Sequence, residues 1–234
     1  MAVTPPHSVA EAYAVVRDEI RRACVAAGRD ETTVRLLPVS KTQPAARLRE
    51  AMAAGATQFG ENRVQEMTAK AAELGNGVSW VLIGHLQRNK VAAACTVMDE
   101  LQSLDSLELA RALEAQYAAT RPGDQLAVLV EVNTSAETSK SGVRADAAME
   151  FTRALRDYPH LRPQGLMTVA HPDPELASRG FACLAGLQAR LRDRDGGGWN
   201  ELSMGMSGDF ASAIAHGSTC VRIGTAIFGQ RAAR

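Results

Sequence analysis

The chain has 234 residues, of which 46% are hydrophobic and 22% are charged. These proportions are close to those of ordinary globular proteins, so the composition excludes the disordered and fibrous classes. The 26 basic and 26 acidic residues give a formal net charge of zero, which argues against broad binding to nucleic acids or anionic membranes.

The predicted elements begin with an amphipathic helix. Val9, Tyr13, Val16 and Ile20 recur at helical spacing and would form one apolar face. Short apolar runs, typical of buried strands, follow at 34–39, 57–60, 80–84, 97–101, 126–132, 165–169, 201–204 and 220–224. Helical patterns lie between them at 45–54, 64–74, 107–119, 145–156, 176–191 and 210–216.

Strands that alternate with helices predict an α/β fold. Eight parallel strands can close into a (β/α)8 TIM barrel, whose usual size of about 250 residues suits this chain. We therefore predict a single barrel domain over residues 1–234 with an additional N-terminal helix. An open doubly wound sheet is the alternative, but it usually carries a glycine-rich turn after its first strand. Here the first strand ends in PVSKT at 38–42, which contains no glycine.

The cysteines indicate a reducing compartment. All four are scattered among apolar or small neighbours, with no CxxC pair and no Cys/His cluster of metal-binding spacing: Cys24, Cys95, Cys183 and Cys220. We interpret them as reduced core thiols of a cytoplasmic protein and expect no metal site. The N-terminus lacks the pattern of a secretory signal, and no run approaches the roughly 20 apolar residues of a membrane span.

Lys41 is the first candidate for chemistry, because the active site of a TIM barrel lies at the carboxyl ends of its strands. An apolar environment after the first strand disfavours the ammonium form, and a neutral amine can attack an aldehyde. Only four of the 26 basic residues are lysines, which favours retention of some of them for the amine. The alternatives are a lysine that extends to the rim or pairs with Glu61.

The loops after the last two strands predict a phosphate site. Ser207 precedes a short predicted helix, and Gly224 and Thr225 follow the final strand. Backbone amides at helix starts, together with hydroxyl groups, bind phosphate, and phosphate sites of such barrels commonly lie after strands seven and eight. The alternative is that both loops are ordinary helix caps.

Arg222 should face the same side of its strand as Gly224, because the two are separated by two residues. Its guanidinium could bind a ring nitrogen of a ligand or form a salt bridge with Glu131. Together with Lys41, these features describe a ligand with a phosphate at one end, an aldehyde at the other and a polar ring atom between them. Pyridoxal phosphate fits this description, and a sugar phosphate with a carbonyl group fits nearly as well.

Seven motifs in the same order closely resemble the pyridoxal phosphate homeostasis protein family, over nearly the whole chain. They are PVSKT at 38–42, FGENRVQE at 59–66, IGHLQRNK at 83–90, SKSG at 139–142, GLMT at 165–168, LSMGMSGD at 202–209 and VRIGTAIFG at 221–229. The family is similar to the barrel half of alanine racemase-type enzymes, without their added β-domain.

The resemblance implies pyridoxal 5'-phosphate as the cofactor and assigns a role to each matching residue. Lys41 would hold the cofactor as an aldimine, Ser207, Gly224 and Thr225 would bind its phosphate, and Arg222 would bind its pyridine nitrogen.

Three further positions follow from the same motifs. Asn62 would lie near the cofactor ring, and Lys140 matches a second family lysine implicated in cofactor transfer. His85 occupies a position that varies in the family, and we expect a structural histidine with a fixed tautomer there.

These residues favour a cofactor reservoir or carrier in intracellular vitamin B6 homeostasis over an amino-acid enzyme. Arginine does not share its proton with the pyridine nitrogen, so the ring would be a poor electron sink. Racemisation also needs an acid or base on each face of the carbanion, and no residue is predicted opposite Lys41. A racemase or lyase acting on small amino acids is the alternative, and an aldolase-type barrel is a third. We expect a monomer, with pyridoxal-phosphate-dependent apoenzymes as possible partners.

Overall fold

A computed structural model describes residues 8–135, 137 and 141–229. The strands are β1 (Arg35–Pro38), β2 (Gln58–Glu61), β3 (Ser79–Leu82), β4 (Glu100–Leu104), β5 (Leu126–Asn133), β6 (Val143–Arg144), β7 (Leu161–Met167), β8 (Glu201–Ser203) and β9 (Cys220–Ile223). The helices are α1 (Val9–Ala26), α2 (Ala45–Ala53), α3 (Val64–Leu74), α4 (Val91–Ala94), α5 (Leu107–Thr120), α6 (Ala148–Ala154), α7 (Pro174–Asp195), α8 (Phe210–Ala215) and α9 (Thr225–Phe228). Within these ranges, no helix is both long enough and apolar enough to cross a membrane.

Eight of the strands form a nearly closed parallel barrel, which confirms the predicted TIM barrel. They follow the order β1-β9-β8-β7-β5-β4-β3-β2, and the two-residue strand β6 pairs only with β5. The seam between β1 and β2 is bridged where Val39 pairs with Gly60. There the Ser40 amide donates to the Gly60 carbonyl at 3.0 Å. This bridge excludes the open sheet, whose edge strands do not pair with each other.

Side chains point alternately outward and inward along each strand, and they form two separate cores. Outward side chains such as Phe59, Leu82 and Val128 pack against the surrounding helices in the main apolar core. Inside the barrel a small apolar cluster contains Leu37 and Val81. Much of the remaining interior is polar, which is unusual for a TIM barrel core of branched apolar residues.

The predicted N-terminal helix is confirmed as α1. Ser8 caps it with a capping box to Glu11, a device that satisfies two otherwise unpaired backbone N–H groups. Its apolar face packs against α2, α8 and α9. The helix therefore covers the outside of the barrel where β1 pairs with β9, the first and last strands in the chain.

The prediction that all four cysteines are core thiols was wrong for one of them. Cys24, Cys95 and Cys220 are buried, whereas Cys183 is exposed. Cys183 lies on α7 between the buried residues Phe181 and Leu184, so its apolar sequence neighbours belong to a face that it does not share. All four are free thiols.

Candidate cofactor site

The segment that carries Lys41 leaves β1 at the carboxyl end of the barrel. Arg35 and Leu37 contact groups inside the barrel, so alternation directs Val39 toward the same side, and Lys41 follows in the turn after the strand. Lys41 is partly buried. The next residue, Thr42, has a φ of 65°, a left-handed conformation that costs a residue with a Cβ free energy. The chain turns sharply there, immediately after the candidate lysine.

Glu61 lies beside this turn and pairs with Lys70, a partner that the sequence did not suggest. Its Oε1 accepts hydrogen bonds from the Ser40 hydroxyl at 2.6 Å and from the Lys70 ammonium at 2.6 Å. Its Oε2 is buried and has no hydrogen-bond partner among the described residues. Burial raises the pKa of Glu61, although the hydrogen bonds from Lys70 and Ser40 oppose the shift. Glu61 thus belongs to a polar cluster between β2 and α3.

The loop of Ser207 after β8 meets the loop of Gly224 and Thr225 after β9. The Ser207 hydroxyl accepts a long hydrogen bond of 3.4 Å from the Ala226 amide, which joins the two loops. A Cβ on Gly224 would lie 3.2 Å from the Val39 carbonyl oxygen, so a larger residue would move this loop a few tenths of an ångström away from the end of β1. The two loops therefore lie directly beside the strand that leads to Lys41.

Arg222 is buried inside the barrel and is bound by uncharged groups. Its Nη1 donates to the Ser203 hydroxyl at 2.7 Å and its Nη2 to the Thr168 carbonyl at 2.7 Å. Within the described ranges, no carboxylate forms an ion pair with it, so the predicted alternative of a salt bridge to Glu131 is not observed. Burial lowers the pKa of Arg222. A guanidinium has five N–H donors, and these two bonds use two of them. The other three could donate to a bound ligand.

A chain of hydrogen bonds runs along the barrel interior and orients Arg222. The Ser203 hydroxyl, which accepts from Arg222, donates to Gln102 Oε1 at 2.6 Å. Gln102 Nε2 in turn donates to Glu100 at 2.7 Å, and Glu100 accepts from Arg35 at 2.7 Å. Because Arg222 can only donate and the Glu100 carboxylate can only accept, the hydroxyl and amide groups between them have fixed donor and acceptor roles, and Arg35 holds Glu100 at the other end of the barrel.

Three titratable residues line the opposite side of the barrel mouth. Glu131 ends the inner face of β5, and burial raises its pKa to about 7; the nearby Asp105 raises it further, whereas Arg222 and His85 oppose the shift. His85 Nδ1 lies 2.9 Å from Asp105 Oδ2, where an ionised carboxylate would accept a hydrogen bond from Nδ1–H. His85 is nevertheless exposed at the mouth.

The remaining predicted residues occupy different situations. Asn62 is exposed just after β2. A Cβ on Gly84 would lie 2.3 Å from the Asn62 carbonyl oxygen, so the glycine after β3 lets the Asn62 segment cross it closely. Lys140 lies outside the described residues.

Sequence reasoning missed the groups that hold the candidate residues. Ser203 and Thr168 bind Arg222, and Lys70 binds the segment before Lys41. The rarity of lysine in the chain singled out Lys70 as one of four, but no local pattern connected it to Lys41.

A recess of about 490 Å³ lies at the opposite end of the barrel, lined in part by Arg35, Arg162 and Trp199. Arg35 is already bound to Glu100 and Glu201 there. In TIM barrels that end contributes to stability, and chemistry is found at the carboxyl ends of the strands. The candidate site is therefore the mouth that contains Lys41.

Comparison with known proteins gives the same picture over almost the whole chain. Residues 15–232 match the family model of the alanine racemase N-terminal domain. The pyridoxal phosphate homeostasis proteins of Pseudomonas aeruginosa and Escherichia coli are 44% and 41% identical to it, each over 96% of this chain and over 96% and 97% of their own lengths.

Solved structures agree with this similarity. PipY of Synechococcus elongatus, whose structure was determined with PLP bound, is 32% identical and has a TM-score of 0.81, covering 95% of this chain and 100% of PipY. Alanine racemase from Corynebacterium glutamicum shares the fold, with 18% identity and a TM-score of 0.69 over 94% of this chain and 61% of the racemase. The chain thus belongs to the pyridoxal phosphate homeostasis protein family, built on the barrel of the alanine racemase N-terminal domain.

Proposed function

We propose that this protein binds pyridoxal 5'-phosphate at the carboxyl end of its barrel and acts in vitamin B6 homeostasis as a reservoir or carrier of the cofactor. Relatives at 41–44% identity bear the name of that function. The PipY structure of similar fold contains PLP. Cofactor delivery to apoenzymes, a monomeric state and a cytoplasmic location belong to the same proposal.

The observation that carries the proposal is the contact between the strand of Lys41 and the loop of Gly224. β1 and β9 are hydrogen-bonded neighbours, with the Val39 amide donating to the Ile223 carbonyl at 2.8 Å. Lys41 follows Val39 by two residues, and Gly224 follows Ile223 directly. The residue proposed to supply the amine and the loop proposed to bind the phosphate therefore follow neighbouring, hydrogen-bonded strands, which supports a shared small ligand.

The residues present fit the cofactor chemically. Arg222 is a buried cation whose direct partners are neutral, and a buried charge needs compensating acceptors. A pyridine nitrogen would accept one of its remaining donors. Ser207, Gly224 and Thr225 would offer hydroxyl groups and backbone amides to a phosphate, and Asn62, exposed after β2, would lie near the ring.

Lys41 would hold the cofactor covalently. Its neutral amine adds to the aldehyde carbon, and loss of one water molecule leaves an imine between the lysine nitrogen and that carbon. The step consumes no oxidant or reductant and is reversed by water. A reversible bond suits a protein that must release what it stores.

Replacing Lys41 with alanine is expected to abolish covalent binding. Wild-type protein mixed with PLP should show the visible absorbance of an imine and, after borohydride reduction, a stable adduct on the peptide that contains Lys41. The Lys41→Ala variant should show neither, because the attacking amine is gone. Lys90→Ala, which removes another of the four lysines, serves as the matched control and should behave as wild type.

Two outcomes would contradict this proposal. A full imine spectrum and reducible adduct in the Lys41→Ala protein would show that another amine holds the cofactor. Steady turnover of alanine or serine by the wild-type protein, lost with Lys41, would favour the racemase or lyase alternative over a reservoir.

Lys140 is proposed to act in transfer of the cofactor. Lys140→Ala is expected to retain the imine spectrum while slowing the rate at which loaded protein activates a PLP-dependent apoenzyme. A transfer rate equal to that of the wild type would remove this role from Lys140.

A further inference from the structure

Lys70 is a buried lysine on α3 that the proposed site does not use. Its residue exposure is 7%. The ammonium donates three short hydrogen bonds, to the Ser40 carbonyl at 2.7 Å, to Glu61 Oε1 at 2.6 Å and to Glu66 Oε1 at 2.7 Å. An ammonium group has three N–H donors, so every donor of Lys70 has an acceptor.

This arrangement explains why the position is a lysine in a chain that otherwise uses arginine. The three acceptors converge on a single nitrogen atom, and a compact ammonium can point one N–H at each of them. A guanidinium spreads its donors over a rigid planar fork on a longer side chain. Arginine would keep the charge at this position but could not reproduce the three bonds.

The polar cluster of Lys70, Glu61 and Glu66 forms hydrogen bonds to the peptide units on both sides of Lys41. The Ser40 carbonyl, which accepts from Lys70, belongs to the peptide unit that precedes the Lys41 Cα. The Thr42 amide belongs to the peptide unit that follows it, and this amide donates to Glu66 Oε1, the same oxygen that binds Lys70. Glu66 and Lys70 are four residues apart on α3 and so share one face of the helix.

Fixing both flanking peptide units fixes the two backbone dihedral angles of Lys41, and with them the direction of its Cα–Cβ bond. The bond to Glu66 also supports the left-handed conformation of Thr42. We propose that Lys70, together with Glu66, is the positioning residue that aims the Lys41 side chain at the aldehyde; this inference rests on the proposed function of Lys41.

The cluster acts from outside the barrel, so it can direct Lys41 without touching the cofactor. Phe59 belongs to the outer core, and a Cβ on Gly60 would contact Leu37 and Ile83 inside the barrel. By alternation, Glu61 faces outward toward α3. Lys70 therefore approaches the turn from the helix layer, while the cofactor would occupy the mouth.

The test compares imine formation with binding of a ligand that cannot form an imine. Pyridoxine 5'-phosphate carries an alcohol in place of the aldehyde and reports only on the phosphate and ring contacts. In Lys70→Met, imine formation with PLP is expected to be about tenfold to a hundredfold slower, because small misplacements of reacting groups cost that much. The dissociation constant for pyridoxine 5'-phosphate should be unchanged.

Conservative variants separate geometry from charge. Lys70→Arg is expected to be as slow as Lys70→Met, and Lys90→Met should match the wild type. Glu66→Ala removes the acceptor of both the Thr42 amide and one Lys70 N–H, and the looser turn should slow imine formation about tenfold or more. Glu66→Gln, which keeps an acceptor for the Thr42 amide, should restore most of the rate.

The possible results are decisive in either direction. A wild-type imine rate in folded Lys70→Met, or equal losses of PLP and pyridoxine 5'-phosphate binding, would overturn the positioning role. If Lys70→Met does not fold, Glu66→Ala decides, and an unchanged rate there overturns the inference. Absence of a Lys41 adduct in the wild-type protein would instead overturn the proposed function, and the role of Lys70 with it.

Discussion

Replacing Arg35 with methionine is expected to lower the free energy of unfolding by about 3–5 kcal/mol at pH 7, the usual cost of breaking a buried ion pair. Arg35 closes the amino end of the barrel, where it binds Glu100, Glu201 and Gln58. The carboxylate side chains are only 12% and 16% exposed. Without Arg35, two negative charges would stay inside the barrel with no cation between them.

Urea unfolding at pH 7 and pH 5 measures this effect. Burial raises the pKa of Glu201 even with Arg35 present, and loss of the cation raises it further. A carboxyl group whose pKa is raised in the folded state stabilises the fold when it is protonated and loses that effect as pH rises. The difference in the free energy of unfolding between wild type and Arg35→Met should therefore be smaller at pH 5 than at pH 7.

Arg49→Met is the matched control for Arg35→Met. It removes an exposed ion pair with Glu73 and should change stability by about 0.5 kcal/mol. Equal losses of unfolding free energy in the two variants would show that the ion pairs of Arg35 stabilise the fold no more than an exposed ion pair does. The hydrogen-bond chain from Arg35 to Arg222 also predicts weaker binding of pyridoxine 5'-phosphate in Arg35→Met.

Replacing Glu131 with glutamine is expected to stabilise the protein by about 3 kcal/mol at pH 8 and to have little effect at pH 4. Burial raises the pKa of Glu131 to about 7, against an ordinary value near 4.3. The folded state thus prefers the protonated acid. The stability that protonated Glu131 gives the fold is fully present below the pKa of the carboxyl group in the unfolded chain and is lost as pH rises through about 7. The glutamine amide of Glu131→Gln does not ionise, so the variant does not suffer this loss.

The charged neighbours of Glu131 set the size of this effect. Asp105 disfavours its ionised form, whereas Arg222 and His85 favour it. Unfolding free energies measured between pH 4 and pH 8 should therefore fall with pH more steeply in the wild type than in Glu131→Gln. The exposed carboxylate Glu108 provides the control, since Glu108→Gln should stay within about 0.5 kcal/mol of the wild type. Parallel pH profiles for wild type and Glu131→Gln would contradict the prediction.

Much of the fold could be predicted from local patterns. Short apolar runs marked all eight barrel strands and helical spacings marked the long helices, because burial acts on each segment separately. The motifs likewise placed Ser207, Gly224 and Thr225 after the last two strands, at the end where barrel loops meet. The two-residue strand β6 and the four-residue helices α4 and α9 were not predicted, since β6 is too short to form an apolar run and four residues are barely one helical turn.

The amino-acid order alone determined which segments become strands and helices, which family the chain belongs to, and which residues end the strands at the barrel mouth. Tertiary structure decided that the sheet closes through Val39 and Gly60, that Glu61 pairs with Lys70, and that Ser203 and Thr168 hold Arg222. Each of these contacts joins two different segments of the chain. Which residues become partners depends on how strands and helices pack around a closed barrel. The hydrophobic pattern of a segment reports only which of its faces is buried, so it does not contain that information.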